Sequence, residues 1–404
     1  MEGTIAVYGS TMIAAQPKLT RRPSQNDSSE HDSFRIPSLD GFRALSIVMV
    51  MLAHATGTAS FPPRLTKILH FAINGNLGVR IFFVISGFLI TTLLLKEEER
   101  KGTISLRLFY ERRAVRILPV YWTYILAVAL LAFIGNVRVA PRAFLEAITF
   151  STSWFHSHQW VFEHTWSLSL EEAFYLMWPL LFKVLTPRAR MGLAMAIIAA
   201  GPMLRGWLYH LHGEDYFVFY SLGVAGNIDP IMCGCLLAML HQAFPLHLDR
   251  IARKLPVLCH GMFFVCMYTL IALNKREQYH AFITVPFTVT VSCLGICYLV
   301  YYHCYISQGI AYRILNLPIV ARIGVLSYSL YLWQQCFLFP AAQHLFWWQT
   351  APANLIFASA MASASYYLLE KPFLRLRKHL RSRSFETRTI QKPMAYVVVP
   401  EQVV

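Results

Sequence analysis

The chain has 404 residues, of which 56% are hydrophobic and only 14% are charged, whereas soluble domains carry roughly 25% charged residues. This composition excludes an ordinary soluble enzyme, because a surface in contact with water needs more charge than the chain supplies. The net charge of +15 would suit a nucleic-acid-binding protein. That class is excluded by the distribution of the basic residues, which lie in short segments between apolar runs.

The apolar residues fall into about ten runs of roughly 18 to 22 residues, each long enough to cross the hydrocarbon core of a bilayer. This pattern predicts an all-α fold, a polytopic integral membrane bundle of about ten transmembrane helices. In chain order, the predicted spans are roughly 39–60, 77–95, 118–135, 166–185, 191–208, 223–240, 256–273, 280–302, 323–346 and 352–369.

The distribution of basic residues predicts the orientation of the bundle. With the N-terminus in the cytoplasm, the inner segments hold 27 Lys and Arg residues and the outer loops hold six. Cytoplasmic loops of membrane proteins carry such an excess, so we expect both termini in the cytoplasm and the chain in the inner or plasma membrane. Residues 1–36 are predicted to be a disordered cytoplasmic segment, residues 37–375 the membrane domain, and residues 376–404 a basic cytoplasmic tail.

Eight ionisable residues lie inside the predicted spans. Each centrally placed charge opposes membrane insertion by about 2.5–3.5 kcal/mol, so such groups usually line a cavity or pair with one another. They are therefore the candidates for a functional site. The eight residues are Asp40, Arg43, His54, Arg80, Glu171, Glu172, Arg205 and Asp229.

The first span carries three of these residues. Asp40 and Arg43 are three positions apart and share a helix face near the inner end, where they form either a paired anchor or a binding site for an anion. His54 follows Arg43 by eleven residues, a rise of about 16 Å. It is either a hydrogen-bond partner of another helix or a general base.

Three arginines precede the third span: Arg112, Arg113 and Arg116. If the helix begins early, Arg113 and Arg116 share one face and can hold phosphate groups. The alternative is a cluster of positive charge that serves only to orient the chain in the membrane.

The fourth span carries two adjacent carboxylates. Glu171 is expected about 8 Å in from the outer surface and His54 about 9 Å in from the same surface, so the two side chains are predicted to meet. A carboxylate beside a histidine fixes its tautomer and suits general-base catalysis. Glu171 and Glu172 point about 100° apart around the helix, so only one of them is expected to face His54.

The longest outer loop, residues 136–165, contains three histidines: His156, His158 and His164. Its only nearby acidic residue is Glu163, so we predict no metal site and favour contacts with a substrate or a lid.

Six stretches of the chain, in order, resemble the acyltransferase type 3 family of membrane O-acyltransferases, which includes the O-antigen acetylases. The stretches are LDGFRALSIVMVMLAH (39–54), GVRIFFVISGFLIT (78–91), FYERRAVRILPVYW (109–122), HTWSLSLEEAFYLMWPLL (164–181), SYSLYLWQ (327–334) and YYLLEKPF (366–373). The resemblance covers residues 37–375 and implies that this segment is an acyltransferase domain.

The resemblance also implies roles for individual residues. Arg43 and His54 match the family's arginine–ten residues–histidine motif, whose histidine is taken as catalytic. Arg113 and Arg116 match its Arg-x-x-Arg motif, which is associated with the acyl donor. Glu171 matches the acid of the Trp-Ser-Leu-x-x-Glu motif.

The expected function is therefore transfer of an acyl group, in the first instance acetyl, from cytoplasmic acyl-CoA to a hydroxyl of an extracytoplasmic glycan or glycolipid. The expected partners are the lipid bilayer, acyl-CoA as donor substrate and a carbohydrate or glycolipid acceptor, with no nucleic acid and no bound cofactor. The rival interpretation is a transporter or channel, in which the buried charges form an ion or proton pathway. No second copy of the first-half motifs is present in the sequence, and this disfavours a transporter built from repeats.

Overall fold

The computed structural model describes residues 36–155, 159–213, 224–254, 281–343 and 346–375. Within these ranges the secondary structure is helical, apart from one isolated bridge between Thr58 and Pro340. The predicted N-terminal segment, the predicted span 256–273 and the predicted tail lie outside the described residues. The division of the chain into these segments therefore stays a prediction.

Fifteen α-helices are described and are numbered here in chain order. In the first half they are α1 (Leu39–Ala55), α2 (Pro63–Ala72), α3 (Gly75–Lys101), α4 (Leu106–Phe133), α5 (Pro141–Ile148), α6 (Thr152–Phe155), α7 (Trp160–Glu163) and α8 (Thr165–Val184). In the second half they are α9 (Pro187–His212), α10 (Val224–Ala243), α11 (Pro245–Lys254), α12 (Ala281–Tyr301), α13 (Ile310–Leu315), α14 (Pro318–Trp333) and α15 (Ala353–Ser365). Short π or 3-10 turns follow or precede some of them, at Tyr302–Ile306, Gln334–Cys336, Trp347–Gln349 and Tyr366–Glu370.

The all-α membrane architecture is confirmed, but a count of ten transmembrane helices is not. Among the described residues, four helices are long and apolar enough to cross a membrane: α3, α4, α9 and the segment Pro286–Ile306. A fifth span is possible if α10 and α11, which meet at 111°, act as one broken span. Other predicted spans form shorter helices, since α1 has 17 residues, α14 has 16 and α15 has 13.

The first helix is shorter than the predicted span 39–60. It ends at Ala55, because the backbone N–H groups of Gly57 and Thr58 bond back to the carbonyls of His54 and Ala55 in a tight turn. The Thr58 hydroxyl also donates to the Ala55 carbonyl, at 2.7 Å. His54 therefore lies in the last turn of the helix rather than six residues inside it.

The fourth helix begins earlier than the predicted span 118–135. Ser105 caps it, its hydroxyl accepting a hydrogen bond from the backbone N–H of Leu108 at 3.5 Å. The helix consequently includes Arg113 and Arg116, which are three residues apart on one face, as the early-start interpretation predicted.

Two glycines allow the helices around the functional residues to pack backbone against backbone. A Cβ atom at Gly87 of α3 would collide with the carbonyl of Ile231 in α10, and one at Gly324 of α14 would collide with the carbonyl of Asp40 in α1. Larger residues would push these helix pairs apart. The close contact at Gly324 fixes α14 beside the α1 segment that carries Arg43.

A buried cluster of polar residues lies between α9, α10 and α12. The Arg205 guanidinium, 1% exposed, donates to both carboxylate oxygens of Asp229 at 2.8 and 3.1 Å, and Asp229 is fully buried. Arg205 also donates to the Pro286 carbonyl at 3.0 Å and to the Thr290 hydroxyl at 2.6 Å. This cluster joins three helices and lies apart from the cavity described below.

We expect Asp229→Ala to destabilise the fold strongly, because it leaves the Arg205 charge buried without its carboxylate. Breaking a buried ion pair in this way is worth about 3–5 kcal/mol of unfolding free energy. The measurement is the thermal unfolding midpoint of the detergent-purified chain. The matched control is the double variant Arg205→Met with Asp229→Leu, which removes both charges and should unfold at a higher temperature than Asp229→Ala. A double variant that is less stable than Asp229→Ala would contradict this explanation, because the unpaired Arg205 charge would then not be the cause of the lost stability.

Candidate active site

A cavity with a volume of about 110 Å³ lies between α1, α3, α4, α8 and α14. The residues predicted to bind an anion and the two adjacent glutamates all line it. The polar residues of its wall are Arg43, Ser86, Arg113, Arg116, Ser167, Glu171, Glu172, Tyr175, Ser327, Tyr328 and Tyr331. Apolar side chains of α3, among them Phe82 and Phe83, complete the wall.

Three arginines from two helices converge on this cavity: Arg43 of α1, and Arg113 and Arg116 of α4. Arg43 donates a hydrogen bond to Asp40 at 3.2 Å, which confirms that the two share a helix face. In the part of the chain that the structure describes, Arg113 and Arg116 form neither an ion pair nor a hydrogen bond. The Arg113 guanidinium instead lies 5.1 Å from the ring centre of Tyr175. Like charges held together in this way favour an anionic ligand that occupies their unused donors.

Arg112, which adjoins Arg113 in the sequence, does not face the cavity. It lies 3.8 Å from a carboxylate oxygen of Glu97 and is not part of the cavity wall. Of the three arginines that precede the third predicted span, Arg112 therefore contacts the neighbouring helix α3, whereas Arg113 and Arg116 face the cavity.

Glu171 belongs to a hydrogen-bonded chain inside the cavity. The Tyr175 hydroxyl donates to Glu171 Oε2 at 3.1 Å and lies 2.5 Å from the Ser86 hydroxyl. Glu171 also interacts electrostatically with Arg113, Arg43 and Arg116. Glu171 therefore links the arginines to the Tyr175 and Ser86 hydroxyls inside the cavity.

The predicted contact between His54 and Glu171 is wrong. The polar partner of His54 is Gln334, whose Oε1 lies 3.3 Å from His54 Nδ1. His54 and Glu171 lie at different depths because α1 ends at Ala55, which places His54 at the outer end of its helix. His54 interacts electrostatically with His164, which directly precedes α8, whereas Glu171 lies about 10 Å further along that helix.

The surroundings of Gln334 fix the tautomer of His54. Gln334 is fully buried, and its Nε2 donates to the Tyr331 carbonyl at 3.3 Å. Because that carbonyl can only accept, the other amide atom, which faces the histidine, is the oxygen. His54 Nδ1 must then carry the proton, and the lone pair lies on Nε2. The half-buried imidazole is thus prepared to accept a proton at Nε2.

A second histidine is held in the same way by the next residue of the chain. His164 Nδ1 lies 2.5 Å from Gln335 Oε1, which also accepts a hydrogen bond from the His164 backbone at 3.1 Å. The adjacent residues Gln334 and Gln335, in the 3-10 turn that follows α14, therefore each hold one imidazole. The other two loop histidines considered for metal binding, His156 and His158, lie outside the described residues.

Several site residues were not singled out from the sequence. Gln334 ends the stretch SYSLYLWQ, and Tyr331 of the same stretch lines the cavity. Glu370 of YYLLEKPF interacts electrostatically with Arg116 and Arg43 and accepts a hydrogen bond from Ser329 at 3.3 Å. The motif stretches themselves were the signal, because each of these residues lies inside one of them.

Tyr331 connects the cavity to the surroundings of His54. Arg43 and His54 are separated by about 16 Å along α1. Tyr331 lines the cavity, and its carbonyl binds the Gln334 side chain that holds His54. The arrangement combines three arginines on the cavity wall with a histidine that is held, through Gln334 and Tyr331, with a free lone pair.

Comparison with known proteins gives matches to one family. The model of an acyltransferase domain, acyltransferase 3, matches residues 36–370. The "Putative O-acetyltransferase SACOL0978" of Staphylococcus aureus (strain COL) is 29% identical over 320 residues, which are 74% of this chain and 50% of that protein. The "O-acetyltransferase OatA" of Staphylococcus aureus (strain NCTC 8325 / PS 47) is 25% identical over 367 residues, 83% of this chain and 57% of that protein.

The chain thus spans about half the length of the curated relatives it matches. No solved structure matches it. Since the family model covers most of the chain, including the cavity arginines, Glu171 and His54, the chain belongs to the acyltransferase 3 family.

Proposed function

We propose that the chain is a membrane-embedded O-acyltransferase that moves an acetyl group from cytoplasmic acetyl-CoA to a hydroxyl of an extracytoplasmic glycan or glycolipid. One observation carries this proposal. Three arginines line one cavity, and Tyr331 of its wall binds, through its carbonyl, the Gln334 side chain that holds His54 with its Nε2 lone pair free. Family membership and the names of the relatives agree with it.

The donor binds through its phosphate groups. Arg113 and Arg116 supply guanidinium groups that have no ion-pair partner among the described residues, and Arg43 adds a third positive charge at the same cavity. Guanidinium groups suit phosphates because their planar donors can form paired hydrogen bonds. The pantetheine arm of CoA is long and thin, and it would follow the narrow cavity toward Tyr331 and place the thioester near His54.

The transfer step uses His54 as general base. His54 Nε2 removes the proton of the acceptor hydroxyl as the hydroxyl oxygen forms a bond to the thioester carbonyl carbon. The carbon–sulfur bond then breaks, the acetyl group remains on the acceptor oxygen, and the proton passes from His54 to the departing thiolate of CoA. Gln334 holds the imidazole throughout by accepting the Nδ1 proton.

The orientation of the chain completes the proposal. The excess of Lys and Arg in the predicted inner segments supports an orientation with both termini in the cytoplasm and the chain in the inner or plasma membrane. The arginine end of the cavity then faces the cytoplasm, where acetyl-CoA is made, and His54 lies toward the outer side.

The test is a transfer assay with the purified full chain, labelled acetyl-CoA and a cell-envelope glycan extract. We expect label to move to the glycan fraction, with release of free CoA. If the chain fails to bind acetyl-CoA, the proposal is overturned in favour of the rival transporter or channel, which uses the buried charges without a thioester substrate.

Gln334 provides a separate prediction about positioning. Gln334→Met removes the acceptor of the His54 Nδ1 proton with little change in volume, and we expect kcat to fall about 10-fold while the KM for acetyl-CoA stays unchanged. Gln334→Glu keeps an oxygen that accepts this proton and should recover part of the lost kcat. The control is Gln349→Met, a buried glutamine of another 3-10 turn. A rise in KM with unchanged kcat would contradict a positioning role.

A further inference from the structure

A second cavity, with a volume of about 570 Å³, lies beyond His54 on the side away from the arginines. It is formed by the segment after α4, by the start of α7 and by the segment after α14. This volume is within the range of small-molecule binding sites, roughly 300–1,000 Å³. None of the cavity arginines or glutamates contributes to its wall.

The wall combines one indole with several amides. Trp160 contributes the aromatic surface, and Asn136, Gln159 and Gln343 contribute side-chain amides. Among the described residues no side-chain hydrogen bond joins these three amides to another part of the chain, and all three line the cavity. Arg138 is the one ionisable residue of the wall, and it is exposed.

Trp160 connects this cavity to the candidate base. Its ring centre lies 5.5 Å from that of His54, with the two rings edge to face. Its indole Nε1 donates to the Gln335 carbonyl at 3.1 Å, which fixes the ring in place. A ligand held against Trp160 therefore lies next to the imidazole.

The chemistry of the wall selects the class of ligand. Amide side chains both donate and accept, which matches hydroxyl groups that also do both. The electron-rich face of an indole suits the slightly positive C–H groups of a sugar ring. Because the one charged side chain of the wall, Arg138, is exposed to solvent and the other polar groups are neutral amides, the wall favours a neutral sugar over a strongly anionic ligand.

We propose that this cavity is the acceptor site, in which a neutral sugar unit stacks on Trp160 and is held by Asn136, Gln159 and Gln343. The inference rests on the proposed function, since it assigns the place from which the acceptor hydroxyl reaches His54. The two substrates then enter from opposite ends of the bundle, with His54 between them.

The test uses Asn136→Ala and Gln343→Ala in the purified full chain, since neither residue contacts His54 or lines the arginine cavity. The envelope glycan extract is titrated at saturating labelled acetyl-CoA. Losing one hydrogen bond to the acceptor should raise the half-saturating concentration of extract about fivefold in each variant. The KM for acetyl-CoA should equal that of the wild type.

The matched control is Gln242→Ala, an exposed glutamine at the end of α10 and outside this cavity, which should leave the titration curve unchanged. If both cavity variants give the wild-type titration curve while label transfer proceeds, the acceptor site lies elsewhere and the inference is overturned, although the proposed function stands. If the wild type neither binds acetyl-CoA nor transfers label, the proposed function fails and this inference fails with it.

Discussion

His54→Ala should lower kcat for acetyl transfer by about 10²- to 10⁴-fold, the range typical for removal of a general base. The cause is the loss of the Nε2 lone pair that accepts the hydroxyl proton. The KM for acetyl-CoA should stay near the wild-type value, since His54 is about 16 Å along α1 from Arg43 and does not line the arginine cavity. The measurement is steady-state transfer of label from acetyl-CoA to the glycan extract.

The control for this substitution is His247→Ala, which removes an exposed histidine of α11. It should leave both kinetic constants unchanged. Transfer that continues at the wild-type rate in His54→Ala would show that another group removes the proton. Loss of folding is recognised separately, because a folded variant still binds acetyl-CoA.

The second large effect that we expect is a loss of acetyl-CoA affinity when the cavity arginines are replaced. Arg113→Gln and Arg116→Gln should each weaken acetyl-CoA binding roughly 10- to 100-fold, the equivalent of one charge-assisted hydrogen bond. Glutamine keeps a polar side chain but removes the positive charge and the paired donors that suit a phosphate. Binding is measured by equilibrium titration of labelled acetyl-CoA on the purified chain.

Arg112→Gln is the matched control, because Arg112 is in the same cluster of the sequence but lies beside Glu97 instead of lining the cavity. It should bind acetyl-CoA with nearly wild-type affinity. If instead all three substitutions leave binding intact but alter membrane insertion or orientation, the arginines serve only to orient the chain in the membrane.

Pattern and motif in the sequence were sufficient to predict the helical fold and which arginines share a helix face beside the cavity. Spacing of three residues places two side chains on one face of any helix, so Arg113 and Arg116 were predictable once the start of α4 was known. That start depends on the Ser105 cap. The same local geometry predicted the pair of Asp40 and Arg43, which the structure confirms.

The partner of His54 could not be predicted in the same way. Its depth was inferred from a continuous apolar run to residue 60, but the helix ends at Ala55 and the following residues form a turn. Apolar residues after a helix end resemble apolar residues within it, so composition alone does not locate the end. The resulting error of one turn and a half was enough to pair His54 with Glu171 instead of Gln334.

The glutamines that hold the two histidines illustrate a further limit of the sequence. Gln334 and Gln335 are 280 and 171 residues away from their partners along the chain, and neither is charged. A search for unpaired charge within apolar spans therefore passes over them. The packing of α14 beside α1, at Gly324, brings this turn to the end of the first helix.

The central claim is that this one chain binds acetyl-CoA at the arginine cavity and that His54 then moves the acetyl group to the acceptor. A single-turnover experiment tests it most directly: the purified chain is loaded with labelled acetyl-CoA, freed of excess donor and mixed with the glycan extract. We predict that the wild type passes its label to the glycan, whereas His54→Ala retains it as bound acetyl-CoA. Transfer of the label by His54→Ala, or a wild type that holds no acetyl-CoA to begin with, would contradict the claim.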